Sequence, residues 1–358
     1  MKSCLRIFVA AVSLMAFAAG AVDAQTTATV SVDCSKNKSI NKALEQHPNA
    51  DSLIVEIQGL CRENVVVTRD RVTLRGANPS SDGIQADINA TQMDAALWVR
   101  GAHQVVVENL KLTGGFAGLL ASEVSTPSLK MNNCRSEGNT AYGVILQSSL
   151  AELTDTVLTA NGNFNAGIFG VSRIACLRCS ISNPLGSGAL GTQSNNIIGL
   201  SGPTVIVIES TLTGGGILLT NGLLQALDSA IEAPAPTASV SGSQSIINMT
   251  RVQVIGPMRF NASSTAVLLG VTQPGGGTTN QVDDNSFVRI AAAPPATGGP
   301  PTIPSSIQGF SFQNFSTGSL LGNSQINGNF NCLPGANAFC AITANVSGTS
   351  NCSLCPKP

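Results

Sequence analysis

From Val105 to Ile231 the chain repeats one unequal unit: an apolar strand, a single polar residue, a second apolar strand, and a third strand introduced by glycine. The polar residue recurs at Asn109, Asn133, Asp155, Arg178, Glu209, Asp228 and Arg251, at intervals of 24, 22, 23, 31, 19 and 23 residues. A period in the low twenties built from short strands marks a solenoid. Inward positions of one strand lie two apart, yet Val105 and Val107 are followed by Leu110 and Leu112, one residue out of step. The chain therefore turns at 108–109, and the polar column lies on that corner.

The third strand begins at Gly118, Gly143, Gly167 and Gly216, with 25, 24 and 49 residues between them, the last interval covering two coils. Three short strands per coil describe an all-β, single-stranded parallel β-helix with neighbouring coils ~4.8 Å apart. At that spacing Asn109 and Asn133 can ladder their amides, and Asp155, Arg178 and Glu209 place opposite charges on adjacent coils. The centre of the glycine-led strand is apolar on both faces, as in a strand buried on both sides. Something is expected to cover it: the C-terminal tail or, if the face is open, a partner or ligand with apolar faces.

An amphipathic helix over 39–47, capped by Ser39 with Ile40, Ala43 and Leu44 on one face, precedes the coils and is expected to close the open end of the stack. Short strands follow at Leu53–Ile57, Asn64–Val67 and Val72–Gly76. The pattern loosens after Ile231. This reading divides the chain into a signal peptide at 1–24, a β-helix domain at 25–290, a Pro/Gly-rich linker or loop at 291–306 and a cysteine-containing tail or cap at 307–358. The signal rests on Lys2 and Arg6 before an apolar run from Ile7 to Ala21, with small residues around Ala24. It predicts export to the periplasm or exterior and no membrane span once removed. Losing Lys2, Arg6 and Asp23 from 19 basic and 20 acidic residues leaves a net charge of −2. Such a surface has no electrostatic reason to bind nucleic acid.

Export permits disulfides. Cys34 and Cys61 flank the helix, and Cys332, Cys340, Cys352 and Cys355 are expected to form two bridges in the tail. A zinc knuckle built on Cys352 and Cys355 is the rival. Cys176 and Cys179 do not open a helix, so a redox role for that pair is disfavoured.

The segment from Ser39 to Leu44, Val65 to Gly76 and Val105 to Leu112 resembles the right-handed parallel β-helix proteins of the pectate-lyase-like superfamily, over roughly residues 30–290. The resemblance implies that Asn109 is a corner ladder residue. It also implies that any catalytic site lies outside one strand stack, here the glycine-led one, where neither a carboxylate pair nor an Arg or Lys base is found. Hydrolases of this fold resembling polygalacturonases need paired aspartates with a histidine. The chain offers only His47, His103 and the adjacent Asp283 and Asp284. The start also resembles pectin methylesterases, whose later Gln and Asp motifs are absent. Asp82, Asp87 and Asp94 are loop acids without a calcium-loop signature, so no cofactor or metal is expected and Ca²⁺ has only this weak candidate. Lys111 and Arg135, in one outward column beside Glu108, are candidate contacts for an acidic sugar. The expected function is an exported structural or binding β-helix contacting envelope or extracellular polysaccharide; the alternative is a polysaccharide lyase or glycoside hydrolase.

Overall fold

The computed structural model describes residues 26–87, 95–123, 126–183, 195–234, 237–275, 279–294, 302–340 and 344–352. The chain winds as a right-handed parallel β-helix with three sheets. A complete coil contributes one strand to sheet 1, then to sheet 2, then to sheet 3, and the three sheets have 14, nine and 13 strands. One coil runs through Val105–Glu108, Lys111–Thr113 and Ala117–Ser122. All strand pairs between neighbouring coils are parallel, and Val107, Met131, Leu153, Cys176, Val207 and Ala226 stand in one register. Each of these side chains points inward and is at most 3 % exposed. Stacking like on like in this way lets short strands that could not bury their own apolar face share one continuous core.

The corner between sheets 1 and 2 is left-handed at every polar position, with φ between 49° and 54° from Asn109 through Arg251. Asn and Asp tolerate this conformation, whereas Arg178, Glu209 and Arg251 adopt it at a cost of about 1–3 kcal/mol each. Cross-coil bonds offset that cost. Asn133 donates to Asn109 at 2.8 Å. Arg178 grips Asp155 with two bonds of 2.8 Å, and Arg251 grips Asp228 at 2.6 and 2.8 Å. Glu209 makes no ion pair within 4.0 Å among the described residues, and acts on Arg178 only through its field.

After five of the seven corners the next residue turns inward with a small donor; after Asn109 and Arg251 it is Leu110 and Val252. Cys134 donates to the carbonyls of Asn132 and Val107, Thr156 to those of Thr154 and Met131, and Cys179 to those of Leu177 and Leu153. Ser210 and Ser229 repeat the arrangement. The two free thiols thus fill hydroxyl positions of a structural column. Burial pushes the Cys134 thiol to about 11, so it is inert as a nucleophile. Cys176, wholly buried beside Cys179, is also held well above its ordinary value, first by its hydrogen bond to Cys179 and then by burial.

A second, fully buried ladder lies at the turn into sheet 3. Asn139 donates to Asn161 at 2.8 Å, Asn161 to Asn165 at 2.8 Å, and Asn165 to Asn196 at 2.7 Å. Glycine leads the sheet 3 strand because this ladder needs the space. A side chain at Gly118 would strike the Ser136 hydroxyl, and one at Gly143 the Asn161 amide. Gly167 is different. It pairs with Ile145, not with Gly143, whose register partner is Asn165. The glycine at 167 therefore belongs to an outward column two residues along.

At the N-terminus α1 (Ile40–Gln46) is capped by the Ser39 hydroxyl. The Glu63 carboxylate accepts from Ser39 Oγ at 2.8 Å and from the Ile40 N–H at 2.6 Å. That holds the helix over the first coils, with Ile40 and Ala43 buried. Cys34 and Cys61 form a disulfide nearby.

The boundary expected at 290 is not found, and the segment after 306 is neither a separate cap nor folded back along the stack. Phe287–Ala291, Thr317–Leu320 and Asn337–Cys340 continue sheet 1, while Ser306–Phe312 and Gln325–Cys332 continue sheet 3. Sheet 2 ends at Ile255 and persists only as isolated bridges through Thr272. The later coils lose the polar corner, and with it the period that marks the earlier ones. Cys332 pairs with Cys352, so Cys352 is not a thiolate ligand of a zinc knuckle. A second bridge between Cys340 and Cys355 lies outside the described residues and side chains, as does the signal segment. No helix among the described residues is long and apolar enough to cross a membrane.

Candidate binding face on the third sheet

The charged column does not converge on a free site. Lys111 and Arg135 are register partners on sheet 2, but both turn to Glu137. Arg135 binds its carboxylate at 2.7 and 3.1 Å, and Lys111 Nζ stands 3.9 Å from it. Glu108 faces the other way, across sheet 1, to Arg75 at 2.7 Å. These charges neutralise one another at the surface.

The remaining acids are held by structural partners. Asp283 and Asp284 both receive the Asn314 side-chain amide, at 2.6 and 3.2 Å. The main chain of His103 bonds Asp70 and Arg71, and the carbonyl of His47 receives Arg69. Asp94 lies outside the described residues. Among the described residues no group of three or more His, Cys, Asp or Glu is placed to hold a metal ion.

Asp82 is 5 % exposed and closes a turn of sheet 2. Burial alone would raise its pKa, but N–H donors from Gly59, Asn78 and Ala77 hold it below its ordinary value of 3.8. The folded chain thus favours the ionised form. Its stabilisation is complete above pH ~4 and is lost as the pH falls below that value. Asp82→Asn is expected to lower Tm at pH 7 by the equivalent of about 2 kcal/mol. Melting curves of variant and parent should converge as the pH falls below about 4; a gap that stays constant with pH would assign the effect to shape instead of charge.

The glycine-led sheet carries a different arrangement. On its outer face Leu120 and Ile145 are only 5 % and 6 % exposed, although they point away from the core. The described part of the tail, which continues the stack, does not cover them. They are covered by rings: Trp98, Tyr142 and Phe169 close over a small cluster that also contains Ala95 and Ala117. The ring of Tyr142 stands 5.6 Å from Phe116, 5.5 Å from Phe164 and 6.3 Å, edge-on, from Phe169. A side chain at Gly167 would strike both Tyr142 and Phe169, so glycine here lets two rings meet over the backbone. The chain contains one tryptophan and one tyrosine. Both lie on this face.

Polar groups line the rim. Trp98 Nε1 donates to Ser122 Oγ at 2.8 Å. The Arg100 guanidinium sits 5.2 Å from the Trp98 ring centroid and binds Glu123 at 2.5 Å. Gln147 is exposed beside Phe169 in the same column. Partial burial raises the Tyr142 phenol above its ordinary value, keeping it a neutral hydroxyl. Beyond Gly167 the apolar column continues through Ile198 and Leu218, then turns polar at Ser241 and Arg259. The result is a narrow apolar strip along the helix axis with a hydrogen-bonding margin.

Sequence reasoning located the strand but not the strip. Trp98 stands in a strand led by Ala96 where the next coil has Gly118, so the glycine signal skips it. Gly167 misaligns Phe169. Register pairs, available only from the folded chain, bring the rings together.

The sequence matches no family model and no curated protein. Among solved structures it is similar to a tailspike protein of Escherichia coli O157:H7 bacteriophage CAB120, with 11% identity, a TM-score of 0.44, and 82% of this chain aligned to 42% of that one. The catalytic domain of a GH87 alpha-1,3-glucanase in complex with tetrasaccharides aligns at 12% identity and TM-score 0.34, over 92% of this chain and 70% of that one. An alginate lyase from Paenibacillus sp. str. FPU-7 aligns at 11% identity and TM-score 0.33, over 90% and 97%. The chain spans less than half the length of the tailspike.

Proposed function

We propose that this chain is an exported, non-catalytic polysaccharide-binding β-helix that holds an extended glycan along the outer face of sheet 3. One observation carries the reading: the sole tryptophan, the sole tyrosine and three phenylalanines gather, partly exposed, on the outside of one sheet. Sugar rings present C–H patches that dock on apolar and aromatic side chains, while their hydroxyls need donors and acceptors at the edge. A strip one column wide, with Arg100, Glu123 and Gln147 beside it, supplies both in the shape of a linear chain. The carboxylate at its margin, Glu123, is committed to Arg100, which supports binding over general acid catalysis. The two disulfides among the described residues suit an exported protein.

Trp98 makes the test direct, because all tryptophan emission comes from the strip. Titration with a panel of neutral and uronic polysaccharides is expected to give a saturable change in that emission. Tyr142→Ala should weaken binding tenfold or more, the loss of about 1.5 kcal/mol of ring contact, with unchanged circular dichroism. An emission that no polysaccharide alters would overturn the binding reading. Release of reducing or unsaturated sugar would replace it with an enzymatic one.

A further inference from the structure

The outer face of sheet 1 lies away from the glycan strip and carries Ile206, Ile208, Leu223, Leu227 and Ile246 among polar residues across its middle. Strand registers place its outward residues in three columns on successive rungs. The rung of Leu223–Leu227 is central, with Leu223, Gln225 and Leu227 pointing outward. In the column of Gln225, Glu152 stands three rungs before the centre and Arg289 three rungs after it. In the column of Leu223, Leu150 and Phe287 occupy the same two rungs. In the column of Leu227, Leu177 and Leu269 stand two rungs to either side.

These positions are complementary to one another under one operation. A two-fold axis lying in the interface along the central strand turns each rung into its counterpart on the other side and leaves each column in place. The two helix axes then run antiparallel, and the two-fold makes the contact isologous. Glu152 of one copy meets Arg289 of the other, twice. Leu150 meets Phe287, Leu177 meets Leu269, and Gln225 meets its own copy, whose amide both donates and accepts. Leu150 and Ile246 are 41 % and 53 % exposed in the single chain. Arg289 is exposed and forms no ion pair among the described residues. Glu152, paired with Lys130, keeps its side chain 58 % exposed.

We propose that this face is the interface of an antiparallel two-fold dimer of the chain. Six rung spacings of ~4.8 Å and three columns give a plan area of roughly 30 by 15–20 Å per copy. That lies below the ~800 Å² per partner of a standard interface, as suits a concentration-dependent dimer. The glycan strips on sheet 3 stay open in it.

Sedimentation velocity from about 1 to 200 µM tests the proposal. The parent chain is expected to shift from monomer to dimer across that range. Arg289→Glu should weaken the dimer tenfold or more by setting two carboxylates face to face, and adding Glu152→Arg should restore it to within about threefold. Leu223→Asp at the centre should abolish it, with unchanged circular dichroism. A monomer at every concentration overturns the proposal. So does a dimer indifferent to Arg289→Glu and Leu223→Asp, which uses another face, or a reversed charge pair that fails to restore association.

Discussion

Replacing Asn161 with leucine is expected to remove about 4 kcal/mol of stability, although the side-chain volume hardly changes. Asn161 sits at 2 % exposure. Its carbonyl accepts the Asn139 side-chain amide at 2.8 Å and the Asn139 N–H at 3.3 Å. Its amide donates to Ser136 O at 3.0 Å and to Asn165 at 2.8 Å. Leucine would strand groups on the preceding coil and on its own coil without water to replace the lost partner. By contrast Asn133→Ser, on the exposed corner ladder, loses one 2.8 Å bond and is expected to cost about 1 kcal/mol. Urea denaturation followed by Trp98 emission measures both. Equal costs for the two substitutions would mean that the interior ladder is no more important than the surface one.

Phe312→Ala should cost about 3–5 kcal/mol, and the loss should be local. Phe310, Phe312 and Phe330 are 0 % exposed, and the Phe312 and Phe330 rings lie 5.1 Å apart. Gly318 is small because the Phe312 ring fills the place of its side chain. Truncation opens a cavity in coils that have lost sheet 2 and have few other large groups. In a solenoid each coil touches only its neighbours, so a weak end can melt before the rest. Far-UV circular dichroism, which sees every coil, should show an early transition. Trp98 emission, which sees only the N-terminal half, should not. Coincident transitions would show that the stack unfolds as one unit.

The coils between Val105 and Ile231 are legible in the sequence because a left-handed corner recurs in each of them, and that corner accepts few residues cheaply. Asn109, Asn133, Asp155 and Asp228 announce it by type, and Arg178, Glu209 and Arg251 by position. The helix at Ile40 is legible from its cap. The continuation of the stack beyond 290 is not, since Ser306–Phe312 runs from the bridge with Thr272 straight into sheet 3 and carries no polar marker. The buried asparagine ladder escapes for a different reason. Its members sit in the turn at Asn139 and Asn161 but in the strand at Asn165 and Asn196, so no single spacing identifies them. The ring cluster is hidden because an outward apolar residue reads the same in sequence whether it is buried by neighbouring rings or open to a ligand.

The inward column after each corner also bears on how such a chain can change in length. Cys134, Thr156, Cys179, Ser210 and Ser229 each bond to a carbonyl of their own coil and to one of the coil beneath. Within this column, any of these five rungs can follow another without leaving its own donor unsatisfied. A one-residue insertion in a strand swaps its inward and outward residues and breaks that match. A duplicated or lost coil preserves it. A change in length that keeps this column matched therefore comes in whole turns, each adding ~4.8 Å to the stack.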